Sequence, residues 1–123
     1  MTYSRLVKEG GQIGIIVPGV QQEFIHGVPE HLVPYWQLGF NSFHSPAWWH
    51  HHWQKSGAVE NIVSDFLPEG WQQWLRFQEV CCEHGSVPEA FRDWVVKEIK
   101  MLRTDAGRTL GFSRILAHRK ANV

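Results

Sequence analysis

Three consecutive histidines, His50 to His52, are the side chains of this sequence with the most evident potential for chemistry. Imidazole binds transition metals and exchanges protons near neutral pH, so the cluster could hold a metal or act in acid–base catalysis. Histidines of one helix share a metal when they are three or four residues apart, whereas consecutive helical residues point about 100° apart. The spacing therefore predicts no metal site from these residues alone. Histidines elsewhere could complete one in space, namely His26, His31, His44 and His84.

The segment that carries these histidines has the start and stop signals of an α-helix. Ser45 is a typical N-cap, Pro46 suits the first helical position, and Gly57 suits the C-terminal stop. Trp49 and Trp53 are four residues apart and are predicted to pack together against a sheet, which leaves at least one histidine facing water. An ordinary packed helix is the favoured interpretation. The alternative is that one tryptophan or histidine of this helix lines a pocket.

The composition is that of one globular domain. The chain has 123 residues, 43% of them hydrophobic and 20% charged, which suffices for a single core. Twelve basic residues balance twelve acidic ones, so neither nucleic acid nor a membrane surface is expected as a partner. The longest apolar run, Ile13 to Val20, is far shorter than the roughly 20 residues of a membrane span, and no secretory signal is recognised. We therefore expect a cytoplasmic location.

Three segments have the patterns of β-strands. The Ile/Val run from Gln12 to Val17 is predicted to be a fully buried strand that ends at Pro18 and Gly19. The segment before it, Thr2 to Glu9, is predicted to be the end of a helix. The other two strands are predicted over Ala58 to Phe66 and Leu110 to His118. Because helices separate these strands, the expected fold class is α/β.

The remaining segments are predicted to be an insertion and two helices. The stretch from about residue 20 to 44 is an irregular insertion with short helical turns, since prolines interrupt it. A helix that ends at Gly85 carries Trp71 and Trp74 on its packing face. The next helix begins at a capping box formed by Ser86 and Glu89. Its apolar stripe consists of Phe91, Trp94, Val95, Ile99 and Leu102. The adjacent Cys81 and Cys82 exclude a disulfide framework.

Three motifs, in this order, resemble parts of a known family. They are VKEGG at Val7 to Gly11, KSGAV at Lys55 to Val59, and the final strand motif GFSRILAHRK. Together they resemble the C-terminal half of a Rossmann-like S-adenosylmethionine-dependent methyltransferase, although Glu9 stands where that family usually has proline. The resemblance covers nearly the whole chain. It implies a single domain over residues 1–123 with a partial Rossmann-like methyltransferase sheet, whose last strand is inserted antiparallel between the other two.

The resemblance also defines what this chain lacks. In that family a Gly-rich loop in the first half holds the methyl donor, and no G-x-G-x-x-G-like loop occurs here. It therefore implies a methyltransferase fragment for a small-molecule acceptor, with S-adenosylmethionine as the cofactor of the full-length family member and no cofactor-binding residue in this chain. Alone, the chain is expected to be inactive, as a truncated or half-length protein.

The acceptor pocket of that family is formed after the fifth strand and by loops of the C-terminal half. In this sequence the resemblance implies Tyr35, Trp36 and Trp48 as substrate-binding residues. His26 and His44 are candidate catalytic residues, because a neutral histidine can accept a proton near pH 7. The alternative for both histidines is an ordinary position in a surface loop. No metal ligand is assigned.

The implied strand order leaves the strand Gln12 to Val17 with an unpaired edge. An apolar edge favours pairing with another chain, so a homo-oligomer is expected. A non-enzymatic α/β module that binds a ligand or a metal is the alternative, and a ligand would then raise its melting temperature. An intact enzyme of another class has no motif to support it, because Asp65, Asp93 and Asp105 have no evident catalytic partners.

Overall fold

The computed structural model describes residues 6–85 and 87–121, which form an α/β structure with three strands and three α-helices. The strands are β1 (Gln12–Val20), β2 (Val59–Leu67) and β3 (Leu110–Arg119). The α-helices are α1 (Pro46–Ser56), α2 (Gly70–Glu83) and α3 (Glu89–Asp105). Two 3₁₀-helices, Glu30–Tyr35 and Leu38–Ser42, lie between β1 and α1, where the sequence predicts an insertion with short helical turns.

The last strand, β3, lies in the centre of the sheet and is antiparallel to both neighbours, in the order β1-β3-β2. The expectation of a last strand inserted antiparallel between the other two is confirmed. Pro18 of β1 and Leu67 of β2 both face Phe112 of β3. The two outer strands therefore run parallel to each other, and their carboxyl ends meet at the edge of the sheet where β3 begins.

The first strand differs from its prediction in two respects. It continues through Pro18 and Gly19 to Val20, and it is not fully buried, since Ile16 is 57% exposed. Proline is tolerated because Pro18 pairs only with β3 among the described residues, and an edge strand can lack an N–H donor there. Val7 to Glu9 form a bend and a turn where helix is predicted. Leu6 lies in a 3₁₀ turn, and Thr2 to Arg5 of that predicted helix lie outside the described residues.

The α1 helix confirms its predicted boundaries. The Ser45 hydroxyl oxygen accepts a hydrogen bond from the Trp48 backbone N–H at 3.2 Å, and Gly57 ends the helix with a left-handed φ of 68°. Trp53 is buried against one face of the sheet, as predicted. The core on this face consists of Trp53, Ala58, Val59, Ile115 and Ala117, with Trp49 packed beside it.

The second core lies on the opposite face, because successive strand side chains alternate in direction. It joins the insertion, α2, α3 and the start of β3 through Val20, Leu32, Phe40, Trp74, Met101, Leu102 and Leu110. Farther along this face, Ile16 and Val63 remain open to solvent, 57% and 61% exposed. Arg114 donates hydrogen bonds to Asp65 between them and lowers the pKa of that carboxyl.

The α2 and α3 helices agree with their predictions in part. Trp74 and Val95 are buried, but Phe91 and Trp94, on the predicted apolar stripe of α3, are 59% and 41% exposed. The α3 helix begins at Glu89 with Pro88 as its N-cap. Ser86 of the predicted capping box lies outside the described residues. None of the helices within residues 6–85 and 87–121 combines the length and apolarity that crossing a membrane requires.

Candidate functional site

A cavity of about 680 Å³ opens where the insertion, α2 and α3 meet the sheet. Pro18 and Phe112 line it, so it lies at the carboxyl ends of the parallel strands β1 and β2. Its volume lies within the range of small-molecule sites. Open α/β sheets bind their ligands outside the carboxyl ends of the strands. The aromatic residues of its wall are Phe40, Phe43, Trp74, Phe77, Trp94 and Phe112.

Glu98 is the one ionisable side chain among the described residues that line this cavity. The residue is only 4% exposed. Its Oε1 accepts hydrogen bonds from Trp74 Nε1–H at 2.6 Å and from Gln78 Nε2–H at 3.1 Å. Its Oε2 is buried without a hydrogen-bond partner in the described part of the chain. Burial raises the pKa of this carboxyl above its ordinary value, and the hydrogen bonds from Gln78 and Trp74 oppose that rise.

Helical spacing places Glu98 in the wall of the cavity. It follows Trp94 by four residues and precedes Leu102 by four, so the three side chains share one face of α3. Trp94 is held by a hydrogen bond from its Nε1–H to Gln37 Oε1 at 2.6 Å. The carboxylate therefore lies between a core residue and an indole that faces the cavity.

The α2 helix supplies both donors to Glu98 from one face. Gly70, Trp74 and Gln78 are each four residues apart. Gly70 lets the helix approach β3, since a Cβ there would lie 2.9 Å from Phe112 Cδ2. Trp74 stacks on Phe112 with ring centroids 6.0 Å apart. This close packing directs the indole N–H at Glu98.

The predicted substrate-binding residues of the insertion lie behind the cavity wall. Trp36 makes edge-to-face contacts with Phe40 and Phe43, at centroid distances of 5.5 and 6.3 Å, and both phenylalanines line the cavity. Tyr35 packs against the same core. Neither Tyr35 nor Trp36 lines the cavity itself, and Trp36 contacts the wall from outside through Phe40 and Phe43.

The other predicted site residues lie elsewhere. His44 stacks on Trp48 with centroids 3.6 Å apart, and His44 Nδ1 lies 3.0 Å from Glu23 Oε1. Trp48 in turn stacks on His52 at 4.8 Å. His26 is exposed in the loop after β1. The structure thus joins His44 to Trp48 but brings neither of them, nor His26, into the lining of the cavity.

The histidines form no metal cluster in the described part of the chain. No group of three or more His, Cys, Asp or Glu residues there could hold a metal ion. His31 Nε2 lies 2.7 Å from the buried Asp105 Oδ1, so this histidine belongs to a structural pair. His51 and His52 are exposed on α1.

Glu98 is absent from the site residues predicted from the sequence, although the sequence holds a signal for it. An acidic residue at position 98 interrupts the apolar stripe of α3, between Val95 and Ile99 on one side and Leu102 on the next turn. A charge on the buried face of a helix is rare unless it is paired or functional. No protein-family model and no curated protein sequence matches the chain. The geometry of this cavity is therefore the principal guide to function.

Proposed function

We propose that the chain is the C-terminal half of a Rossmann-like S-adenosylmethionine-dependent methyltransferase and that the cavity holds its small-molecule acceptor. The observation that carries the proposal is the strand order β1-β3-β2, with β3 antiparallel between two parallel strands. In that family the fifth, seventh and sixth strands have this arrangement. The two motifs that resemble the family precede β1 and β2, the strands that correspond to the fifth and sixth.

The position of the cavity supports an acceptor site. Pro18, near the end of β1, and Phe112, at the start of β3, lie at the sheet edge where ligands of open α/β folds bind. The six aromatic side chains of the wall favour a partly apolar molecule. Alignment and desolvation are the principal contributions that a protein makes to methyl transfer, because the cofactor supplies the methyl group.

The cavity does not fit the methyl donor itself. S-adenosylmethionine bears a carboxylate, and no lysine or arginine is among the described residues that line the cavity. Glu98 could attract the ammonium of the same molecule, but the carboxylate of the donor would find no cation in the lining and would be repelled. The cofactor therefore belongs to a first half with a Gly-rich loop, which this chain does not contain. The residues described here bind the acceptor, exclude water and, at Glu98, offer a carboxylate that can hold a proton.

Reconstitution tests this proposal. The chain is fused behind the first half of a Rossmann-like methyltransferase, and S-adenosylhomocysteine is titrated into the fusion, into the first half alone and into the chain alone. We expect binding by the fusion to exceed that of the first half, because the fourth strand would pair with β1 and close the sheet. Stoichiometric binding by the chain alone as a monomer, or a folded fusion that binds no better than the first half, would contradict the proposal.

A ligand-binding module without methyl transfer is the second candidate. The observation that favours it is that this chain alone builds the cavity and its buried carboxylate. Such a module would bind a small ligand as an isolated chain and gain thermal stability from it. A fusion that fails to bind S-adenosylhomocysteine, combined with ligand binding in the cavity, would favour the module over the methyltransferase half.

A further inference from the structure

The one ionisable group in the described lining of the cavity is the Glu98 carboxyl. Glu98 Oε1 already accepts two hydrogen bonds, from Trp74 and Gln78, whereas Oε2 has no partner among the described residues. Burying an unpaired carboxylate oxygen is costly, and the cost falls when a donor reaches it. A ligand that satisfies this site must therefore present an N–H or an O–H group.

Charge narrows the class of ligand further. Since Glu98 is the single ionisable group of the lining in the described residues, an anionic ligand would meet repulsion and no compensating cation. A protonated amine would instead be attracted by the carboxylate. Aromatic faces add to this attraction, because cations are stabilised over the rings of tryptophan and phenylalanine. Trp94 and Phe77, 41% and 66% exposed, are such rings in the cavity wall.

We infer that this cavity binds small, mainly apolar primary or secondary amines and that the Glu98 carboxylate accepts a hydrogen bond from their ammonium group. The aromatic wall takes the apolar part of the molecule, and the volume of about 680 Å³ leaves room for one or two rings. The assignment of amines as the methyl acceptors rests on the proposed function. The assignment of this cavity as an amine-binding site does not depend on it.

Three probes of similar size and different charge test this inference on the chain alone. They are 2-phenylethylamine, 2-phenylethanol and 3-phenylpropionate, titrated by calorimetry at neutral pH. We expect the amine to bind at least about tenfold more tightly than the alcohol, because a charged hydrogen bond to a buried group contributes more than a neutral one. The acid is expected to bind most weakly. Equal affinity for the three probes, or preference for the acid, would overturn the inference.

Substitutions assign the effect to Glu98. Glu98→Gln keeps the size of the side chain and removes its charge, so the advantage of the amine over the alcohol should disappear. Glu79→Gln is the matched control, because Glu79 is paired with Arg103 at 2.6 Å and does not line the cavity. Unchanged selectivity in Glu98→Gln, or the same loss in Glu79→Gln, would contradict the assignment.

A second variant keeps the inference testable if Glu98→Gln fails to fold. Phe77 is 66% exposed and lines the cavity, so Phe77→Ala should leave the fold intact and weaken the binding of amine and alcohol together. Full retention of both affinities would contradict binding in this cavity. All these titrations omit the cofactor. If the amine does not bind, the amine site is refuted, and the reconstitution experiment still tests methyl transfer. If the reconstitution fails, methyl transfer is refuted, and the titrations still test the amine site.

Discussion

At the scale of the residue, Glu98 is a carboxylate in surroundings that disfavour its charge. Burial is the largest cause of its raised pKa, and no other lining residue in the described chain is ionisable. Such a group is unusual on the buried face of a helix. The effect of this raised pKa on the stability of the protein can be measured without knowledge of any ligand.

The raised pKa of Glu98 predicts a pH dependence of stability. The native state binds more protons than the unfolded state between the ordinary pKa of 4.5 and the raised one, so the free energy of unfolding falls as pH rises through this window. Glu98→Gln removes this dependence. The free energy of unfolding of this variant, compared with that of the wild type, should therefore be more favourable at pH 8 than at pH 5. Urea denaturation at several pH values measures it, with Glu79→Gln as control. Parallel pH profiles of wild type and Glu98→Gln would count against it.

Asp105 predicts a large structural effect. It is fully buried, and its Oδ2 accepts hydrogen bonds from the backbone N–H groups of Thr109 and Leu110 at 3.0 and 2.8 Å. Asp105→Ala leaves these donors and His31 without their acceptor, so we expect a loss of about 3 kcal/mol in the free energy of unfolding. Asp93→Ala, at an exposed position of the same helix, should change it by less than about 0.5 kcal/mol. Similar losses in both variants would refute this role.

The sequence shows that an acidic residue interrupts the stripe of α3, but it does not show which side chains contact that residue. The stripe of α3 could be predicted from spacing, and the acidic residue at position 98 within it was visible. Its partners Trp74 and Gln78 come from another helix, 24 and 20 residues away, and helical periodicity does not say which helices pack together. The cavity could not be predicted for the same reason.

At the scale of the element, the end of the insertion is joined to the sheet by a close backbone approach. The Ser113 hydroxyl donates to the His44 carbonyl at 3.0 Å, and His44 pairs with Gly19 as a short parallel bridge. A Cβ at Gly19 would lie 2.7 Å from Ser113 Oγ and closer still to the His44 carbonyl oxygen. The contact requires the absence of a side chain at position 19.

Two glycine substitutions test this junction. Gly19→Ala should destabilise the protein by about 1–3 kcal/mol, because the rigid backbone at His44 must move to admit the methyl group. Gly39→Ala is the matched control, since a Cβ there meets no atom within 4 Å. Thermal unfolding of both variants measures the difference. Equal melting temperatures would show that the junction accommodates the methyl group.

Local signals predicted some elements well and others poorly. The cap at Ser45 and the stop at Gly57 lie within the α1 segment itself, so its boundaries were correct. The sequence predicts a stop at Pro18, yet this residue lies inside β1, because the effect of proline on a strand depends on whether that strand is an edge. The predicted full burial of β1 is wrong for a related reason. A run of isoleucine and valine does not reveal whether one face or two are covered.

At the scale of the whole molecule, the open edge of β1 predicts self-association. The edge runs along Gln12 to Val17 and is unpaired within the described residues, and Ile16 beside it is 57% exposed. We expect the protein to sediment as a dimer or larger, and Ile16→Lys to shift it towards monomer, because a charge on an edge strand opposes pairing. Ile25→Lys, at an 87% exposed loop position, is the control. A monomeric wild type at micromolar concentration would exclude this assembly.

The central position of β3 has a consequence for folding during synthesis on the ribosome. Apart from the single bridge between Gly19 and His44, both outer strands pair only with β3 among the described residues, and β3 is the last of the three strands to be synthesised. Until Leu110–Arg119 has left the ribosome, β1 and β2 have no partner, and the isoleucines of β1 remain exposed. The sheet must then assemble from distant segments in a single late event. We therefore expect nascent chains that stop before Leu110 to bind chaperones and resist folding, whereas the completed strand order folds cooperatively.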